Sequence, residues 1–213
     1  MSIQSQMEFA QIQLRERFDQ LLKAGGISKE QYARFLSMQY HLTKGVQKHF
    51  MGIAANSDIG KSKKRLRTWL LGFAQEEEFH YQIALNDLKN LGEPLVDCPL
   101  DIKLWWLHFD KMVQERPFAR LGATCILENI SEKSGDVIGQ LIQQSTFLKP
   151  ENLKFLTIHQ HGPNLDHGNQ IVEALEEADL SEAEWKDVQE GAEVATVFYL
   201  RFVHWIIHGS PLQ

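Results

Sequence analysis

Apolar side chains recur at steps of three and four along almost the whole chain, and convincing two-residue alternation is absent. Residues three and four apart share one face of an α-helix, whereas alternation marks a half-buried strand. Asn-Gly and Asp-Gly, the strongest short hairpin signals, do not occur. A chain patterned this way buries its apolar stripes by packing helix on helix. The expected fold class is all-α: a seven-helix bundle forming a single domain over residues 1–213.

Turn and cap residues divide the pattern. A first helix is predicted over 4–23, ending at Gly25-Gly26. Ser28 with Gln31 forms a capping box that opens a second helix over 29–55. A third runs from about 60 to Leu91, where Gly92 suits a C-cap and Pro94 blocks continuation. A fourth covers 100–115, and Pro117 suits the first turn of a fifth over 117–145. Pro150 opens a sixth to about 178, and Ser181 with Glu184 opens a seventh to about 208.

Composition narrows the function classes. Hydrophobic residues make up 43% and charged residues 23%, a globular balance. The net charge is -6 and no basic stripe occurs, which argues against nucleic acid as a partner. The one basic cluster (Lys61, Lys63, Lys64, Arg65, Arg67) reads as a solvated segment at a helix start. No apolar run approaches the roughly 18 to 20 residues of a membrane span, and the N-terminus has no signal-peptide design. Cys98 and Cys125 form neither a CxxC nor a disulfide framework, so a cytoplasmic protein is expected.

Periodicity splits the acidic triplet in FAQEEEFHYQIALNDL. Leu66, Leu70, Phe73, Ala84, Leu88 and Leu91 form the inward stripe of the third predicted helix. Extended through the polar stretch, that stripe lands on Glu77 and His80. Glu76 and Glu78 lie about 100° to either side of Glu77, on the solvated face. A carboxylate on a buried stripe needs a partner. Glu77-x-x-His80 is the i, i+3 pair with which bundle di-iron proteins hold a metal ion from one helix, and carboxylate with imidazole suits iron or manganese. The structural alternative is a Glu–His pair that only fills a polar pocket.

Further candidate ligands follow. In ILENISEKSG, Glu128 shares a face with Leu121 and Cys125 and points inward. FLTIHQHGPNLDHGNQI places His159, His161, Asp166 and His167 within nine positions. A ferritin-type bundle carries two Glu-x-x-His pairs; here there is one, so a second half-site must come from the His-rich sixth helix.

Several segments resemble one family. LKAGGISKEQYARFLSMQYHLTKG looks like the second-helix entry of the haem-oxygenase-like fold, the superfamily of thiaminase II (TenA), PqqC and a set of non-haem iron oxidases. EEEFHYQIALNDLKNLG is similar to the third helix of its di-iron oxidases, which include fatty-acid-decarboxylating desaturases, N-oxygenases and the chlamydial CADD type. ILENISEKSG matches their central helix and FLTIHQHGPNLDHGNQIVEAL their sixth. The resemblance covers roughly residues 20–208 and implies an iron-dependent, O2-using oxidase or oxygenase of a small organic or acyl substrate, acting as a homodimer. Carried over by position, Glu77 and His80 hold one iron, Glu128 bridges or holds a second, and His159 is the first ligand of the sixth helix. The family's His-x-x-x-Asp-x-x-His is not kept: Pro163 stands four residues after His159 and Asp166 seven after, with His167 one position late. Either a bulge at Gly162-Pro163 brings Asp166 or His167 to the metal, or the second iron site is lost. A true haem oxygenase has its proximal His in the first helix, and no His precedes His41 here. The rival readings are a non-catalytic interaction protein of the same fold, and a cofactor-free enzyme of the thiaminase or PqqC type.

Overall fold

A computed structural model describes residues 2–59, 63–160 and 167–210. Every described regular element is helical. The α-helices are α1 (Ile3–Lys23), α2 (Lys29–Thr43), α3 (Gln47–Ala55), α4 (Lys64–Glu76), α5 (His80–Leu91), α6 (Leu100–Glu115), α7 (Pro117–Asn129), α8 (Gly135–Gln144), α9 (Lys154–Gln160), α10 (His167–Glu176) and α11 (Glu182–His208).

Each of the seven predicted helices is present, and three are interrupted within the described residues. Gly45, at φ 92°, separates α2 from α3 in a backbone region that favours glycine. A 3-10 turn over Glu77–Phe79 separates α4 from α5. The stretch after Asn129 carries a second 3-10 turn, Glu132–Ser134, before α8. The sixth is described as Lys154–Gln160 (α9) and His167–Glu176 (α10), with 161–166 outside the described residues. Both predicted capping boxes form: the Ser28 and Ser181 hydroxyls accept from the Gln31 and Glu184 amides, and the side chains of Gln31 and Glu184 accept from the serine amides in return. Gly92 and Gly209 close α5 and α11 in the left-handed conformation.

The middle of the bundle is α7, whose residues Pro117 to Ile126 are all buried. It crosses α11 at two glycines. A Cβ on Gly122 would overlap the Val188 carbonyl, and one on Gly191 would overlap the Ala119 carbonyl. The backbones therefore touch directly. Around this pair pack Trp105 and Phe109 of α6, Phe50 of α3, Phe73 of α4 and Phe202 of α11. Arg116, where α6 turns into α7, clamps α11 through ion pairs to Asp187 (2.6 Å) and Glu190 (2.7 Å). The end of α7 is tied to α1 by Gln11, whose amide donates to the Asn129 carbonyl at 3.0 Å.

One surface expectation is corrected. Lys64, Arg65 and Arg67 are exposed, but Lys63 is buried against the Phe118 ring with its ammonium 3.3 Å from Glu184. It begins a helix by docking on the α11 N-terminus, so it is no solvated charge; Lys61 lies outside the described residues. Among the described residues no helix is long and apolar enough to cross a membrane.

Candidate metal centre

Glu77 lies where α4 tightens into the 3-10 turn. Such a turn advances about 120° per residue against 100° in an α-helix. Over three residues the face of α5 is thus rotated by about 60° relative to a continuous helix. The turn keeps Glu77 buried, leaves Glu76 and Glu78 exposed, and sets His80 on the first turn of α5.

His159 arrives from α9, across the bundle. Its position depends on Asp87 of α5, a fully buried residue whose Oδ2 accepts from the Phe155 amide at 2.8 Å. That bond pins the first turn of α9 on α5, and His159 stands one turn further on. The His159 ring packs against Phe155 (centroids 4.4 Å apart), and its Nδ1 lies 2.7 Å from the Phe155 carbonyl. A carbonyl only accepts, so Nδ1 carries the proton and Nε2 keeps a lone pair. Burial holds the His159 pKa below the ordinary histidine value. Burial favours the neutral form, and the carbonyl selects the tautomer whose Nε2 is free to bind a metal.

Glu77, His80 and His159 each offer one ligand atom within 4.8 Å of the others, and the two imidazole centroids are 5.0 Å apart. His80 Nδ1 is 2.9 Å from Glu77 Oε2, yet it makes no hydrogen bond, because the two atoms are near but not aligned. Two ligands at about 2.1 Å from one ion at right angles lie about 3.0 Å apart, with lone pairs aimed at the ion and not at each other. A buried orphan nitrogen beside a carboxylate, with a second imidazole held in the acceptor tautomer, fits iron or manganese.

The other predicted ligands are placed differently. Glu128 faces the same interior, within electrostatic reach of Glu77, but outside the group of three. Its carboxyl is pushed up to about 8, first by burial and then by the Glu77 charge, against a smaller pull from Arg120. His167 packs on the Phe73 ring at 5.0 Å, with Nε2 3.2 Å from the exposed Glu76. It thus approaches the outer acid of the triplet while His159 joins the inner one. Asp166 and His161 lie outside the described residues.

Glu77, Glu128 and His159 line a partly open cavity of about 190 Å³. Its other walls are mostly apolar and come from α1, α2, α7, α8, α9 and α11. Sequence reading missed two polar residues here, Arg120 and Tyr199. Arg120 is fully buried, and burial lowers its pKa to about 10. The Tyr199 hydroxyl is raised to about 12 by burial and by Glu128, so it stays protonated. Neither belongs to a motif; Arg120 offers only the anomaly of a charge in PFARLGATC. Of the nearby aromatic residues, Phe73 lines the cavity, whereas Trp69, Trp105 and Trp106 pack elsewhere in the core. The Trp106 indole donates to the His41 carbonyl, and the His41 ring meets the Val96 carbonyl at 2.8 Å. His204 and His208 lie near the surface with their rings tilted and centroids 4.4 Å apart. Both thiols are raised by burial, Cys125 to about 12, and neither lines the cavity. That leaves no activated thiolate for a thiaminase-type nucleophile.

No protein-family model matches the sequence, and no curated protein does. Among solved structures, the chain is similar to a domain of unknown function with a heme oxygenase-like fold from Shewanella denitrificans OS217. The likeness has a TM-score of 0.81 at 19% sequence identity and covers 97% of this chain and 89% of that one. The chain therefore has the haem-oxygenase-like fold.

Proposed function

We propose that this protein is a non-haem iron oxidase or oxygenase that uses O2 on an apolar organic substrate enclosed in the bundle. One observation carries the proposal: the ligand atoms of Glu77, His80 and His159 converge within 4.8 Å at the edge of a mostly apolar cavity. These three residues would hold the metal, with Glu128 the nearest further carboxylate for the same ion or a second one. Bound iron(II), or manganese, supplies the redox chemistry that activates O2 toward an organic molecule.

The chain's own contribution is position, dryness and proton control. Asp87 fixes α9 and so the approach of His159. The Phe155 carbonyl holds the proton on His159 Nδ1. Glu128, raised to about 8, keeps a proton near neutrality when no cation faces it, and yields it when a cation does. Tyr199 keeps its hydroxyl as a donor inside the cavity. The mostly apolar walls offer few groups to hold water beside an oxidising centre.

The test is metal content. Protein purified from iron-supplemented cells is expected to carry iron or manganese, at one or two ions per chain, and Glu77→Ala to lose it. A wild-type chain without either metal, or a Glu77→Ala chain with unchanged content, overturns the reading.

A further inference from the structure

We propose that Arg120 is the docking point for the anionic group of an aliphatic carboxylate held in the cavity. This names a substrate class for the function proposed above and rests on that reading for what happens to the bound molecule; binding itself requires only the cavity.

Arg120 is 1% exposed and lines the cavity wall. A guanidinium carries five N–H donors and cannot give up its charge near neutrality. Two of the five are used within the protein: Nε donates to His49 Nδ1 at 2.9 Å, and Nη1 donates to Thr124 Oγ1 at 2.8 Å. Both acceptors are neutral groups, since burial together with the Arg120 charge pulls His49 down to about 4. No described carboxylate is hydrogen-bonded to Arg120. Glu128 acts on it only through space from two turns along α7, about 12 Å along the helix axis. The charge is softened by the rings of Phe50, Trp105 and Phe109, 5.1–5.8 Å from the guanidinium carbon. Rings stabilise a cation but accept none of its in-plane N–H bonds as a carboxylate does.

The guanidinium is also held in place. His49 Nε2 meets Asp110 Oδ1 at 2.7 Å, so a carboxylate at the surface orients the imidazole, and the imidazole orients Arg120. A side chain meant only to fill space needs no such chain of partners. The remaining walls state what is attached to the anion. Arg120, Thr124, Leu127 and Glu128 line the cavity from one face of α7, and Ser131 lines it from the turn that follows. Beyond Glu128 the lining becomes aliphatic and aromatic, through Phe18, Leu21, Ile138, Leu141 and Leu148. A molecule with an anionic head on Arg120 and an aliphatic chain running toward α1 and α8 shares the cavity with Glu77 and His159.

The experiment is calorimetric titration of the full chain, as purified and after dialysis against a chelator. The probes are n-alkanoates from hexanoate to dodecanoate and n-alkanols of equal length. The wild type is expected to bind the best alkanoate about tenfold to a hundredfold tighter than its alkanol, the worth of a hydrogen bond to a charged group. That preference should persist after chelation, vanish in Arg120→Gln and survive in part in Arg120→Lys. Equal affinities for the two probes in wild type overturn the proposal without any variant. A preference that disappears with the metal moves the carboxylate to the Glu77 cluster and also overturns it. An unchanged preference in folded Arg120→Gln, checked by circular dichroism, leaves Arg120 as a counter-charge for Glu128 alone and overturns it. If Arg120→Gln does not fold, the wild-type ratio after chelation and the Arg120→Lys titration decide the matter. Loss of metal in Glu77→Ala with an intact alkanoate preference separates the two proposals.

Discussion

Replacing Glu128 with Gln should make the protein more stable in alkali. The Glu128 carboxyl is raised from 4.5 to about 8 in the folded chain, so the native state binds this proton more tightly than the unfolded one. A group of this kind costs nothing below its unfolded value. Its penalty grows as pH rises through the interval and is complete above the folded value. From 4.5 to about 8, at about 1.4 kcal/mol per tenfold change, the full penalty is about 5 kcal/mol. Because the carboxyl faces a cavity and not close-packed atoms, water and relaxation bring the realised figure to about half of that. Gln keeps the shape and drops the charge. In urea denaturation of chelator-treated protein, wild type and Glu128→Gln should be similar near pH 5, and the variant should gain about 2–3 kcal/mol on wild type by about pH 8.5. Other groups titrate in both chains, so the difference isolates Glu128. If the variant tracks wild type over the whole range, or falls below it in alkali, the account of a buried, charge-repelled carboxyl is refuted.

Two further outcomes concern the frame of the site. Asp87→Ala should cost about 1–3 kcal/mol in chemical denaturation, because the Phe155 amide is left buried without an acceptor, while Asp87→Asn keeps the acceptor oxygen, removes a charge that burial disfavours, and should match or exceed wild type. Gly191→Ala should lower Tm by about 6–12 °C in calorimetry, from about 3 kcal/mol of overpacking against the Ala119 backbone, whereas Gly72→Ala, with open space around the new methyl, should leave Tm level or raise it.

The outline of this bundle was legible because helices announce themselves locally. Ser28 with Gln31 and Ser181 with Glu184 are each complete within four residues, and both caps form. The split of the acidic triplet was legible for a similar reason: one helical phase, set by Leu66, Leu70 and Phe73, decides which acid is buried. The 3-10 turn at Glu77–Phe79 was not, since no glycine or proline marks it. Arg120 was hidden for a deeper reason. Its meaning comes from His49 and Phe50 about 70 residues earlier and from Trp105, Phe109 and Asp110 on the preceding helix, and no local spacing encodes such a neighbourhood. The same applies to Lys63, whose Glu184 partner lies at the far end of the chain.

The close crossing of α7 and α11 at Gly122 and Gly191 has a consequence for how this scaffold can change. Arg120, Thr124 and Glu128 stand on α7 and Tyr199 stands on α11, so the separation of those two helices sets one dimension of the chamber. That separation is fixed by main chain resting on main chain, a mechanical stop that no rotamer can relax. Substitutions along the walls can lengthen, shorten or re-polarise the chamber while its gauge stays constant. Chemistry can therefore be exchanged inside a vessel of fixed width, and the two glycines, which touch no substrate, are what keep it calibrated.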